Sequence, residues 1–468
     1  MTVTNLEQRY EIVKGLIDNE NWNALEEVLL KLPPVEIAEI LEKLEEKDLL
    51  VAFTLFPNKE KAQIFGELNR DLQYYLFNNL ERRLFSKVFE AMRSDERADF
   101  YQELTVDEQS ALLPYLNKQV RSNVVELSGY DADSAGGIMT TDFATARNWM
   151  TVRETVDKVK KDSPSKKMIY YVYVVDDEKV LLGFVTLKDL ILADLDDKIE
   201  DLMIVDFVAA TVDEDREQVA RRIDKYNLVA LPILNEERKL VGIVRHDDAI
   251  EVIVAEQTED MEKMMGITSS ADEDDDEGYM DISVFRHFKK RVLWLVSLAV
   301  IGMISGLILH HFEDALDQMV ILALYMPMLA DTGGNAGSQA STVVIRALSL
   351  GEVTTKDWWK ITFKEMRISL LLAVCLSSIA FIKVTLLSFN TLLPGELTLS
   401  YVAFIISLAL ALQVVTSTMI GAGLPLIVKK LKGDPAVVAS PAITTIVDVT
   451  GLLIYFSLAT AFLLNAVG

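Results

Sequence analysis

One carboxylate, Asp448, stands inside an otherwise apolar run from Pro441 to Leu464 that is long enough to cross a bilayer. An ionised group in hydrocarbon costs about 2.5–3.5 kcal/mol or more unless water, a cation or a partner group meets it. Asp448 is therefore either a cation ligand or a hydrogen-bonding contact to a neighbouring helix. Upstream, PMLADTGGNAGSQAS (Pro327 to Ser341) sets Pro327, Gly333, Gly334 and Gly337 in a second apolar stretch, beside Asn335, Ser338 and Gln339. Such residues weaken a helix, and freed backbone groups are tolerated at membrane depth only where they line a cavity or are buried in protein. The pattern predicts an interrupted helix with Asn335 lining an ion path; close helix packing through small residues is the competing use of the glycines. Thr444, Thr445 and Thr450 lie near Asp448, and Gln413, Thr416, Ser417 and Thr418 in a further apolar stretch are candidates for the wall.

The donor types limit the ion. Zinc and copper favour imidazole and thiolate, yet this part of the chain offers only His287, His310 and His311 at its margins and the single cysteine, Cys375. Calcium takes six to eight oxygens, whereas magnesium keeps several waters and binds through one or two carboxylates, which suits one Asp per chain. On a two-fold axis, the commonest oligomer symmetry, two Asp448 side chains would meet. No glycine is followed by lysine, so a Walker A loop is absent and ATP hydrolysis is not expected to drive transport. Flow would follow the ion's gradient and an inside-negative potential, worth about 4.6 kcal/mol for a divalent ion at 100 mV.

Five apolar segments are expected to form the spans: Val292 to Leu309, Met319 to Val344, Ile368 to Phe389, Tyr401 to Val428 and Ala436 to Val467. Basic residues fix their orientation. Arg286, Lys289, Lys290 and Arg291 precede the first; Arg346, Lys356, Lys360, Lys364 and Arg367 join the second to the third; Lys429, Lys430 and Lys432 join the fourth to the fifth. The opposite loops, His310 to Gln318 and Asn390 to Ser400, carry no Lys or Arg, and Lys383 can snorkel outward. The N-terminus is thus expected in the cytosol, without a signal peptide, and the C-terminus outside.

Charge divides the chain at the same place. From Ile282 onward thirteen basic residues face ten acidic ones, which leaves 33 of the 46 basic and 61 of the 71 acidic residues before it, a net −28 against +3. So negative a body repels nucleic acid and attracts counter-cations. No nucleophile, base and orienting residue cluster in it, so an enzyme is not expected.

Residues 1–130 read as short amphipathic helices punctuated by Pro33, Pro57 and Pro114, a small helical solenoid. A repeat follows. Ile169 to Ile191 aligns with Leu228 to Ile250, each giving strand, acidic turn, strand with a central glycine (Gly183, Gly242), then helix; Met139 to Ala146 pairs with Met203 to Ala210 upstream. These two β-α-β-β-α copies resemble a tandem pair of CBS domains, modules that often bind adenine nucleotides. In that family the motif's Thr and Asp hold a ribose, a role that Thr186 and Asp189 match, while the second copy carries Arg245 before Asp248. Either nucleotide (ATP) binding or a structural pairing fits. Glu251 to Asp281 is an acidic segment, helical at first and then broken at Thr268 to Asp281, that leads into the basic amphipathic ISVFRHFKKRVLW and the first span. It is either a tether or an element that transmits movement.

Together, YDADSAGGIMT (Tyr130 to Thr140), AEQTEDMEK (Ala255 to Lys263), TGGNAGSQAS (Thr332 to Ser341), VIRAL (Val344 to Leu348), KEM (Lys364 to Met366), DPAVV (Asp434 to Val438) and DVTGLL (Asp448 to Leu453) resemble the MgtE family of bacterial magnesium channels or transporters. The resemblance implies a multidomain membrane protein: an all-α N-terminal solenoid (1–130), tandem α/β CBS domains (131–256), an acidic linker and connecting helix (257–290) and a five-helix transmembrane domain (291–468). It implies a homodimer in the bacterial plasma membrane, with a pore built mainly by the second and fifth spans and Asp448 as its ion-binding carboxylate. It further implies magnesium sensing through Asp95, Asp99, Glu217, Asp224, Asp248, Glu251, Glu256, Glu259 and Asp260, with closure when internal magnesium bridges them. Asn227 departs from the family pattern, which has an Asp there, and Asp331 replaces a small residue. Another hard divalent cation, such as manganese or cobalt, or a membrane-anchored sensor that conducts nothing, are the alternatives.

Overall fold

The computed structural model describes residues 6–162, 170–268, 279–280, 282–438 and 440–464. They fall into two compact units, one ending at Glu256 and the other beginning at Gln257.

In the first unit, the chain from Leu6 to Leu127 is a run of short helices, the longest being the 13 residues of Leu6–Asp18. Side chains of Asn21, Asn69, Thr105 and Asn117 accept first-turn amides and so fix where helices begin. Pro33 and Pro57 stand at the cap position, where a missing N–H costs nothing. Most helices pack on the next but one, the arrangement of a solenoid. The apolar stripe of each supplies one core in which Phe65 meets Phe100 and Phe77 meets Phe85 edge to face, with centroids 5.1 and 5.0 Å apart.

The repeat folds as two three-stranded sheets of one design. In the first, β1 (Ala144–Arg147) runs parallel to β2 (Tyr171–Val175), which is antiparallel to β3 (Leu181–Thr186). In the second, β4 (Ala210–Thr211), β5 (Ala230–Leu234) and β6 (Leu240–Arg245) pair in the same order and sense. Both copies shift register at the end of the middle strand, at Val174/Val175 and Ile233/Leu234. Gly183 and Gly242 lie at matching register positions for one reason: a Cβ would collide with the Ile204 carbonyl in one copy and the Met139 side chain in the other. Ile169, the first residue of the aligned repeat, lies outside the described residues, as does most of the acidic break from Thr268 to Asp281.

The second unit holds five long helices, Val284–His311, Ile321–Ser349, Trp358–Leu387, Leu399–Lys430 and Ser440–Phe462. Four are long and apolar enough to cross a membrane by length and composition; the exception, Ile321–Ser349, has the length but carries the polar Gly-rich segment. That helix is continuous, which corrects the expected interruption. Its glycines serve close packing instead: a Cβ on Gly333 or Gly337 would press on Gln413 or Ile443, and Gly421 lies against the Gly337 carbonyl. The basic stretch from Val284 to Trp294 is continuous with the first long helix, with Ser283 accepting the Arg286 amide at its start.

Candidate ion-binding sites

On the last helix, Asp448 is half-buried, and its Oδ1 is enclosed with no hydrogen-bond partner among the described residues. It lines a cleft of about 190 Å³ with Met326, Leu329, Ala330, Gln413, Gly451, Leu452 and Tyr455. Three helices therefore converge on it. Tyr455 does not satisfy the carboxylate, because its hydroxyl donates to the Leu322 carbonyl at 2.8 Å. Ser338 and Thr444 hydroxyls lie 3.4 Å apart where the second and last helices meet.

Asn335 is not on that cleft. Its Nδ2 donates to Asp331 Oδ1 at 3.2 Å, and both residues are exposed. Spaced at helical turns, Asp331, Asn335, Gln339, Thr342 and Arg346 form an exposed polar stripe on the second helix.

Among the expected sensing residues, Asp95 and Asp248 are 6 % and 8 % exposed and come together, but arginines join them. Arg93 lies 3.0 Å from Asp95 and 3.8 Å from Asp248; Arg245 lies 3.6 Å from Asp95, donates from Nε to Asp248 Oδ2 at 2.9 Å and pairs through Nη2 with Oδ1. Burial pushes the Asp248 carboxyl up to about 6, against the opposing pull of Arg245 and with Asp95 adding to the rise. Asp99 is exposed, yet the crowding of protein around its carboxyl, then the charge of Asp95, pushes it up to about 7. The spacing of Asp95 and Asp99 was legible, whereas the arginine pairing was signalled only by Arg245 standing where the first repeat has Thr186.

The other carboxylates are dispersed. Glu217 pairs with Arg221, and Glu256 accepts from Arg216 Nε at 2.8 Å. Asp224 and Glu251 are exposed. In the second unit, Lys263 bridges Glu259 at 2.6 Å and Asp434 at 2.9 Å, while Asp260 accepts from the Ser349 hydroxyl at 3.4 Å. Burial and then the nearby Asp434 raise Asp260 above the usual carboxylate range. Among the described residues no three acidic, His or Cys side chains are grouped as a metal cage. Asn227 has a local explanation: it ends the helix Arg216–Tyr226 at φ 50°, ψ 46°, a left-handed position that Asn tolerates. Thr186 and Asp189 form a reciprocal cap, the hydroxyl donating to the carboxylate at 2.6 Å and accepting the Asp189 amide at 3.1 Å. Neither lines the cleft of about 350 Å³ that Phe143, Tyr170, Tyr171, Tyr173 and Arg245 help to form.

Family models match three regions: an MgtE intracellular N domain at 32–133, CBS domains at 135–196 and 199–255, and the MgtE divalent cation transporter at 326–458. The Thermus thermophilus magnesium transporter MgtE is 35 % identical over 443 residues, 94 % of this chain and 95 % of the relative. The chain belongs to the MgtE family of magnesium transporters. The Bacillus subtilis MgtE is 34 % identical over 93 % of both chains. The soluble part of a magnesium transporter superposes at TM-score 0.51 with 29 % identity, covering 54 % of this chain and 99 % of that structure. As an MgtE member, the protein is a multi-pass membrane transporter, and the Asp448 cleft lies within the matched transporter region.

Proposed function

We propose that this chain carries Mg²⁺ inward, down its electrochemical gradient, through a pore on the axis of a homodimer in the bacterial plasma membrane, with the N-terminus cytosolic and the C-terminus outside. The observation that carries this reading is Asp448 itself, a half-buried carboxylate on an apolar helix long enough to span a membrane, with no basic side chain lining its cleft. Such a carboxylate is retained where a hydrated cation neutralises it. The exposed stripe through Asp331 and Asn335 supports the axis, since a polar face on a membrane helix needs water or a second copy beside it. Oxygen donors without thiolate or imidazole favour magnesium over softer metals, with manganese and cobalt as the competing cargo.

The sensor is the acidic first unit together with the connecting segment that follows it in the chain, with solenoid, CBS pair and connecting segment divided near residues 130, 256 and 290. Asp99, Glu217, Asp224, Glu251, Glu256, Glu259 and Asp260 are its candidate cation ligands; at Asp95 and Asp248 a cation competes with two arginines. An adenine nucleotide is proposed for the aromatic cleft around Tyr171 rather than for Thr186 and Asp189, and loss of ATP binding in Tyr171→Ala by calorimetry tests it.

Growth rescue of a strain deficient in magnesium uptake tests the transport reading. The wild-type chain should rescue and Asp448→Ala should not. Rescue by Asp448→Ala refutes the pore assignment, and failure of the wild type favours a sensor that conducts nothing.

A further inference from the structure

The Asp448 cleft contains a second buried polar group. Gln413, on the helix Leu399–Lys430, is 1 % exposed, and both amide atoms, Nε2 and Oε1, lack a hydrogen-bond partner among the described residues. An amide in that condition bears the full cost of desolvation unless something polar reaches it. Glycines on two other helices make room for it, since a Cβ on Gly333 or on Gly451 would collide with Nε2. The remaining side chains of the cleft, Met326, Leu329, Ala330 and Leu452, are apolar, and the Tyr455 hydroxyl is already engaged. Asp448 Oδ1 and the Gln413 amide are thus the side-chain atoms left to serve each other. A water needs two to four polar partners; the Gln413 amide and Asp448 Oδ1 supply them, on a cleft whose free space admits about one water.

We propose that Gln413 is a positioning residue for the transported ion: through a water held in this cleft, which accepts from Nε2 and donates to Oδ1, it fixes how Asp448 presents its carboxylate. The half-buried side chain then offers its other oxygen to the ion's hydration shell in one orientation. This role rests on Asp448 being the ion site, and the experiment separates the two.

The full chain is reconstituted in liposomes with a magnesium-sensitive dye inside, and uptake is measured against external Mg²⁺. Gln413→Met keeps the shape and removes both polar atoms. Its half-saturating concentration should rise roughly tenfold, equivalent to about 1.4 kcal/mol, while the maximal rate changes far less. The melting temperature of the variant is measured alongside to establish that it folds, since removing one partner leaves the enclosed Asp448 oxygen unsatisfied and is expected to lower it. Unchanged half-saturation in the folded variant overturns the proposal, whatever the maximal rate. Should Gln413→Met not fold, Gln413→Glu, which keeps the shape but lacks the donor, is read by the same criterion. Asp448→Asn is measured alongside. If it transports like wild type, the pore assignment falls and this role with it; if it is inactive while Gln413→Met is unaffected, only the role of Gln413 falls.

Discussion

Replacing Arg245 by Met tests how the solenoid is joined to the second CBS module. The substitution removes the two-pronged partner of Asp248 and one of the two guanidinium groups near Asp95, in a region where both carboxylates are less than a tenth exposed. Breaking a buried ion pair from one side costs about 3–5 kcal/mol. Arg93 remains 3.0 Å from Asp95 and 3.8 Å from Asp248, so the lower end, about 3 kcal/mol, is expected. In a unit of this size that amounts to roughly 6–12 °C in melting temperature. Calorimetry of the full chain in detergent with EDTA should show the first unit melting lower by that amount. Magnesium should recover much of it, because an ion at a hundred times its dissociation constant returns about 2.7 kcal/mol. Acid should also recover it. Asp248 binds its proton more tightly in the folded chain, so the stability contributed by protonation is full below about 3.8 and lost as pH rises through about 6. The penalty of Arg245→Met should therefore be largest at pH 8 and shrink by pH 5. A variant that melts like wild type in EDTA at pH 8 refutes the premise that this arginine neutralises the buried pair.

Asp99, pushed up to about 7, should bind magnesium in competition with protons, so protection of the first unit from proteolysis by millimolar Mg²⁺ should be weaker at pH 6 than at pH 8. Asp99→Asn should reduce that pH difference, the remainder coming from Asp248; an unaltered difference would exclude Asp99 as a ligand. Gly183→Ala should lower the melting temperature of the first unit by several degrees, about 1–3 kcal/mol, because the new methyl group meets backbone at Ile204 that cannot swing aside. Thr186→Val should cost about 1 kcal/mol in chemical denaturation through loss of the helix cap while leaving ATP binding intact, and lost binding would return the ribose role to this residue.

The parts of this architecture that rest on local pattern were legible in the sequence. Short apolar periods between prolines gave the solenoid, strand alternation repeated with Gly183 and Gly242 gave the paired sheets, and the basic residues and apolar lengths gave the long helices of the second unit. Asp448 stood out because a lone charge in an apolar span is improbable without a use. The Gly-rich stretch misled on one point. Glycine and proline lower a helix's own stability, but Gly333, Gly334 and Gly337 pack against Gln413, Thr444 and Ile443, and tertiary contact keeps the helix whole.

Sequence alone thus determined the order of domains, the family and the carboxylate on which transport is proposed to depend, since periodicity and residue type are properties of neighbours along the chain. Only the tertiary structure decided that Asp95 and Asp248 share Arg93 and Arg245, that Asn335 turns to Asp331 rather than into the cleft, and that Gln413 shares a wall with Asp448. Those outcomes depend on which faces of distant helices and strands meet. A side chain's partner across such a contact leaves no periodic trace in the segment that bears it.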